Sequence, residues 1–170
     1  SVGGLEAAKA YTLKVNAFDV GQNEGSGPSV TGYTLMPNPA NVQITSAQHQ
    51  KLGVAFDAPT PLGHVLQYKV YVSQSAFTTV AGKSPTKVLP SGATSTSLSG
   101  LMNGVTYYVA VTTVNKSSGE DPEVTAVTGK PVEDTVGPVV SSVTYKGVAL
   151  PDGGTVEVDA SFGVSATDEL

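Results

Sequence analysis

Gly100–Asn115 reads GLMNGVTYYVAVTTVN, and two patterns meet in it. Leu101 and Tyr107 stand six residues apart around the tight-turn pair Asn103-Gly104. From there Tyr107, Val109 and Val111 alternate with Tyr108, Ala110 and Thr112, the period-2 pattern of a strand with one buried face. A sandwich that passes its chain from one sheet to the other turns at such a corner, and tyrosine suits it. The ring joins the core while the hydroxyl bonds back to upstream backbone. The same grammar stands near the start, where Gly4-Leu5 precedes Tyr11 and then Leu13, Val15 and Ala17 alternate. Leu5 to Leu101 and Tyr11 to Tyr107 are both separations of 96, so the corner is repeated. Leu5, Tyr11, Leu101 and Tyr107 are therefore expected to be structural corner residues.

The bulk composition narrows what this chain does. Its 170 residues suffice for one large domain, or one small domain with parts of others, and the repeat favours the second. Hydrophobic residues make up 39 % and charged ones only 14 %, so a packed core is expected under a surface of Thr, Ser, Gly, Asn and Gln. The net charge is -5, and the nine Lys+Arg residues are all lysine and scattered. Phosphate tracking needs a dense basic face and base readout favours arginine, so nucleic acid is not an expected partner. With no cysteine, disulfides and thiolate metal sites are excluded. No apolar run approaches the ~18 residues of a membrane-spanning helix. The first residue is Ser1 and no signal peptide is visible, which reads as a processed chain or a piece of a longer one.

Along the chain, Ala10–Asp19 reads as a strand, 21–28 as a turn-rich hairpin loop and Ser29–Leu35 as the returning strand. Residues 1–36 thus read as the last strands of a module. Two strands do not stand alone in water, so a longer parent chain or another subunit is expected to complete them. MPNPA over 36–40 is a joint stiffened by two prolines. Alternation then places strands at Val42 and Ile44, at Leu52, Val54 and Phe56, and at Tyr68, Val70 and Val72. An edge strand over 86–89, one through Thr96 and Leu98, one from Val105 to Val114 and a last one over 123–128 complete seven. Seven short strands in about 90 residues, without helical periodicity, are the mark of an immunoglobulin-like β-sandwich.

The segments PANVQI, LGVAFDAP, YKVYVS, SLSGLMNGVTYYVAVTTVN and GKP, spread over 37–131, together resemble a fibronectin type III module. GLEAAKAYTLKVNAFD resembles the closing half of a preceding one. The family usually carries a tryptophan on the second strand where this chain has Phe56, which implies a somewhat smaller core. After an acidic linker over 132–138, residues 139–170 resemble the opening strands of a bacterial Ig-like module, with strand positions at Val143, Tyr145, Phe162 and Val164. The resemblance implies an all-β chain of tandem immunoglobulin-like modules.

Four constellations are candidates for chemistry or contact. His49 and His64, the only histidines, fall in expected loops with no cysteine and no G-x-S-x-G elbow. Asp57 follows a strand, where aspartate ordinarily bonds its own backbone. No nucleophile, base and oxyanion donor converge, so no enzyme is expected. Glu133 and Asp134 in the linker, Asp152 in the turn PDGG, and Asp168 beside Glu169 are the candidate calcium ligands at a module junction. They lack the ordered spacing of a calcium loop, and the alternative is a solvated acidic linker. Glu120, Asp121 and Glu123 read as a solvated loop. Asn115-Lys116-Ser117 has the form of a glycosylation sequon. Finally, Tyr107 and Tyr68 inward put Tyr108 and Tyr71 on the outer face of neighbouring strands. There they are expected either as a contact face for a partner or as a cross-strand pair stabilising the sheet.

The function these features imply is structural or adhesive. The chain reads as part of an extracellular or cell-surface multi-module protein, a fibre, stalk or adhesin, spacing and presenting its neighbours. The expected partners are neighbouring modules or copies of the same chain joined by strand donation into filaments, with other cell-surface proteins or polysaccharide beyond them. The alternative is a spacer within a secreted glycoside hydrolase or similar extracellular enzyme. No cofactor is expected apart from calcium.

Overall fold

A computed structural model describes residues 2–137, 139–145, 148–149 and 162–167. Among these residues twelve strands run in chain order: β1 (Ala10–Lys14), β2 (Ser29–Tyr33), β3 (Ala40–Gln48), β4 (Lys51–Asp57), β5 (Val65–Ser73), β6 (Lys87–Pro90), β7 (Ser95–Ser99), β8 (Tyr107–Asn115), β9 (Val127–Gly129), β10 (Val139–Tyr145), β11 (Val148–Ala149) and β12 (Phe162–Thr167). A single 3-10 turn at Leu62–His64 is the only helical element among the described residues.

Strands β3 to β9 build a sandwich. One sheet has the order β3-β4-β7 and the other β6-β5-β8-β9, all pairings antiparallel. The alternation that predicts the strands also fills the space between the sheets. Leu52, Val54 and Phe56 project from β4, Tyr68 and Val70 from β5, Leu98 from β7, and Val109 and Val111 from β8, and all are buried. Burying a side chain of this size is worth about 1.5–3 kcal/mol, so this layer is the main source of stability. Phe56 takes its place by packing edge-on to Tyr68, with ring centroids 5.0 Å apart and planes at 64°. The hydroxyls of Tyr68 and Thr113, residues paired across β5 and β8, are buried without a protein partner.

Two smaller sheets flank the sandwich. β1 and β2 form an antiparallel hairpin, and β10 pairs with β11 on one side and β12 on the other. β1 is shorter than the alternation through Asp19 suggests. A Cβ on Gly27 would lie 1.5 Å from the Val15 carbonyl oxygen, and the Asn16 side chain takes the Gly27 N–H at 3.0 Å. One further backbone bond, Val15 N to Pro28 O at 3.3 Å, lies between the end of β1 and this close approach. β9 likewise covers only the end of the expected last strand, because Val124 bonds to Thr78 at 2.8 Å rather than to β8.

Candidate junctions and loop network

Two corners stand at matching places, one before β1 and one before β8. At the second, Gly100 and Gly104 adopt φ of 74° and 75°, a left-handed backbone that glycine enters without strain. The Tyr107 hydroxyl then accepts the Met102 N–H at 3.0 Å. At the first, Gly4 and Ala8 adopt φ of 71° and 55°, and the Tyr11 hydroxyl accepts the Glu6 N–H at 3.0 Å. Leu101 packs against the core of the sandwich, whereas Leu5 is 40 % exposed.

Asn115, at the end of β8, fastens the hairpin to the sandwich. It is 1 % exposed. Its Nδ2 donates to the carbonyls of Tyr33 at 3.1 Å and Thr34 at 2.8 Å, while its Oδ1 accepts from Ser117 N at 2.9 Å and Gly119 N at 2.8 Å. All of its hydrogen-bonding capacity is thereby engaged, and the sequon nitrogen faces protein rather than solvent. Ser117 Oγ accepts the Tyr33 N–H at 2.9 Å. The His64 Nδ1 lies 3.1 Å from the Ala8 carbonyl, where it donates as N–H, and its ring meets Tyr33 edge-on at 5.1 Å. The joint 36–40 is fixed in turn by Asn38. Its Nδ2 donates to Asp121 O and Glu123 O and its Oδ1 accepts from Thr113 N, all within 2.8–3.1 Å.

His49 serves the other end. Asn103 Oδ1 accepts the Gln50 N–H at 2.7 Å, which orients its Nδ2 toward His49 Nδ1 at 3.0 Å. Asp134 N also reaches that ring nitrogen at 3.3 Å, so Nδ1 is the acceptor and the ring proton sits on Nε2. The Asp134 carboxylate accepts from Val136 N at 2.9 Å, and Glu133 is exposed. The two histidines therefore serve different junctions. Asp57 accepts a hydrogen bond from Asn41 Nδ2 at 2.6 Å, which ties β4 to a kink in β3. Among the described residues no three His, Cys, Asp or Glu side chains gather as metal ligands. Asp152, Asp168 and Glu169 lie outside the described residues.

On the outer face of β5 and β8, where a contact face or a cross-strand tyrosine pair is expected, a loop covers Tyr71. Tyr71 is 3 % exposed, and its hydroxyl donates to Glu120 Oε1 at 2.8 Å. Thr112 Oγ1 donates to the same oxygen, and Lys69 Nζ pairs with Oε2 at 2.5 Å. The loop after β8 folds back over the sheet to make this contact. A second segment meets it there, through Val80 N to Pro122 O and Val124 N to Thr78 O, both 2.8 Å. Burial pushes the Glu120 carboxyl up, but the hydrogen bonds from Lys69, Thr112 and Tyr71 overcome it and hold the group below the usual carboxylate range. Burial first, and then Glu120, push the Tyr71 phenol up to about 12. Tyr108 is half-buried and stands opposite Ser73, while Tyr71 stands opposite Ala110, so the two tyrosines are diagonal neighbours. Sequence reasoning left out Glu120 as a clamp and Asn115 and Asn38 as fasteners. Each looks like an ordinary loop residue, and only Asn38 carried a signal, in its place between two prolines.

The sequence pattern of the Fibronectin type III domain matches residues 37–129, and the chain belongs to that family. Among solved structures, it is similar to a two-domain fibronectin type III segment of chicken tenascin. The identity is 23 % and the TM-score 0.50, over 75 % of this chain and 67 % of that one. It is also similar to the FN1–FN3 domains of chicken CNTN1, at 17 % identity and TM-score 0.50, over 76 % of this chain and 43 % of that one. A β-1,2-glucanase from Parabacteroides distasonis matches over 59 % of this chain at 17 % identity and TM-score 0.49, and the matched part is 13 % of that enzyme. No curated protein matches by sequence. No helix among the described residues is long and apolar enough to cross a membrane.

Proposed function

We propose that this chain is a spacing and orienting segment of an extracellular multi-module protein, without a catalytic centre of its own. The observation that carries this reading is the fully engaged Asn115 side chain between the β1–β2 hairpin and the sandwich. The default between modules is free relative motion unless the interface holds them. Here a buried amide, a serine, a histidine and a proline-stiffened joint all act on one contact. Their combined effect is to set an angle between consecutive modules.

The partners of such a segment are its neighbouring modules. Leu13 on β1 and Val15 just beyond it are exposed, while their counterparts Val109 and Val111 are covered by the sheet β3-β4-β7. A sheet with an alternating apolar face is what fits there, whether from the same protein or from another copy. Sedimentation separates these two sources. A monomer at high concentration removes assembly through copies and leaves the neighbouring module. The orienting role is tested by residual dipolar couplings of amides in β1–β2 and in β5–β8. One shared alignment is expected, and independent alignments would overturn the role.

A further inference from the structure

The 96-residue repeat extends beyond the corner into the turn that follows β8. Asn115 N bonds to Gly119 O at 2.9 Å, and Asp19 N to Asn23 O at 3.1 Å. Ser118 N bonds to Asn115 O at 2.9 Å, and Gln22 N to Asp19 O at 3.0 Å. Ser118 and Gln22 both adopt a left-handed backbone, φ 63° and 62°. The bridges Val114 to Glu120 and Phe18 to Glu24 close the two turns in the same way. In each, the first side chain also accepts the N–H four residues on, at 2.8 Å from Gly119 and 2.9 Å from Asn23. The backbone is one turn built twice.

What differs is the space inside it. In the second copy Gly119 leaves room for one methyl of Leu35, whose side chain is otherwise half exposed. A Cβ at Gly119 would stand 2.9 Å from Leu35 Cδ2 and 3.0 Å from Asn115 Nδ2. The Asn115 amide is free to donate outward and takes the Tyr33 and Thr34 carbonyls. In the first copy the residue in the glycine's place is Asn23, and its Nδ2 donates to Asp19 Oδ2 at 3.0 Å. Asp19 has no donor, so it offers nothing to a carbonyl. One copy is an open socket and the other is closed by its own side chains.

We propose that positions 115 and 119 decide whether this turn receives the preceding segment of the chain. Asparagine with glycine makes a socket for an extended backbone bearing an apolar side chain, here Tyr33–Leu35. Aspartate with asparagine makes a turn of the same shape that does not dock. The inference rests on the orienting role proposed above and names the element that carries it. A module junction of this kind is thus specified by two residues that leave the fold of the module itself unchanged.

The test is the double variant Asn115→Asp, Gly119→Asn in the full chain, which copies the closed turn into the docking position. The sandwich is expected to stay folded, with a thermal midpoint within about 3 °C of the parent, because the same turn already accommodates these residues. The alignment of β1–β2 relative to β5–β8 is expected to fall roughly twofold or more as the hairpin comes loose. Leu35→Ala, made from the other side of the contact, should loosen it in the same direction. If the hairpin and sandwich keep one alignment in both variants, the socket is not what holds them and the proposal fails. If the double variant does not fold, the two turns are not interchangeable and it also fails. Independent alignment already in the parent chain would instead remove the orienting role itself.

Discussion

The corner and turn over 100–120 and their counterparts over 4–24 share a backbone and differ in surroundings. Both tyrosine hydroxyls accept an N–H from five residues upstream at 3.0 Å. Yet Val109 is fully buried, while Leu13 in the same place is 43 % exposed. The hydrogen bonds of a corner are local and form wherever the residues stand in order. Burial is not local, because it requires an opposing sheet, which β3-β4-β7 supplies to β8. The comparison therefore separates what a corner contributes to geometry from what it contributes to stability.

The sharpest way to break this comparison is to cut both members alike. Val109→Ala should lower the stability of the sandwich by about 2–3 kcal/mol, through lost burial and the space left behind. Leu13→Ala, at a position already wet, should change the same unfolding midpoint by less than about 0.5 kcal/mol. Equal effects in denaturant titrations would mean that the hairpin face is covered in solution.

Next in size is the hydroxyl itself. Tyr107→Phe leaves the Met102 N–H unpaired in a part-buried setting and should cost about 1 kcal/mol. Tyr11→Phe exposes the Glu6 N–H to water and should cost a few tenths. The ratio of the two, read by thermal unfolding, measures how much of a corner's worth comes from its environment.

Glu120 and Glu24 are also matched in the repeat, and only Glu120 is clamped by Lys69, Tyr71 and Thr112. Because the Glu120 pKa is depressed on folding, its contribution is present above the ordinary glutamate value and is lost as pH falls through the folded one. Glu120→Gln should therefore cost about 1 kcal/mol near neutral pH and flatten the acid limb of the stability curve. Tyr71 acts with the opposite sign. Its contribution is present below the free tyrosine value near 10 and is lost as pH climbs toward 12. A Glu120→Gln variant with an unchanged acid limb would show that the clamp is not formed.

The smallest expected effect is that of chelator. The Asp134 carboxylate is already engaged by the Val136 N–H and Glu133 points to solvent, so EDTA is expected to leave the thermal midpoint in place. A clear drop would restore the linker carboxylates as calcium ligands.

The strands of the sandwich were legible because alternation and turn signals are short-range and repeat. Leu52, Val54 and Phe56 announce a half-buried strand without reference to any neighbour. The same logic placed Tyr71 on the outer face, and the parity was sound, but period 2 says only on which side of its own strand a side chain lies. It is silent on whether a loop returns to cover that side, as Glu120 and its loop do. Asn115 shows the limit from another direction. Its triplet reads as a surface sequon, and its burial comes from Tyr33 and Thr34, which stand 82 and 81 positions away.

The sequence by itself determined the alternation, the corners and the family, because each is written in residues within a few positions of one another. Only the tertiary structure decided which turn is open and which carboxylate is clamped. Those outcomes depend on pairs of groups distant in the chain, and a hydrogen bond between such groups leaves no local mark on either.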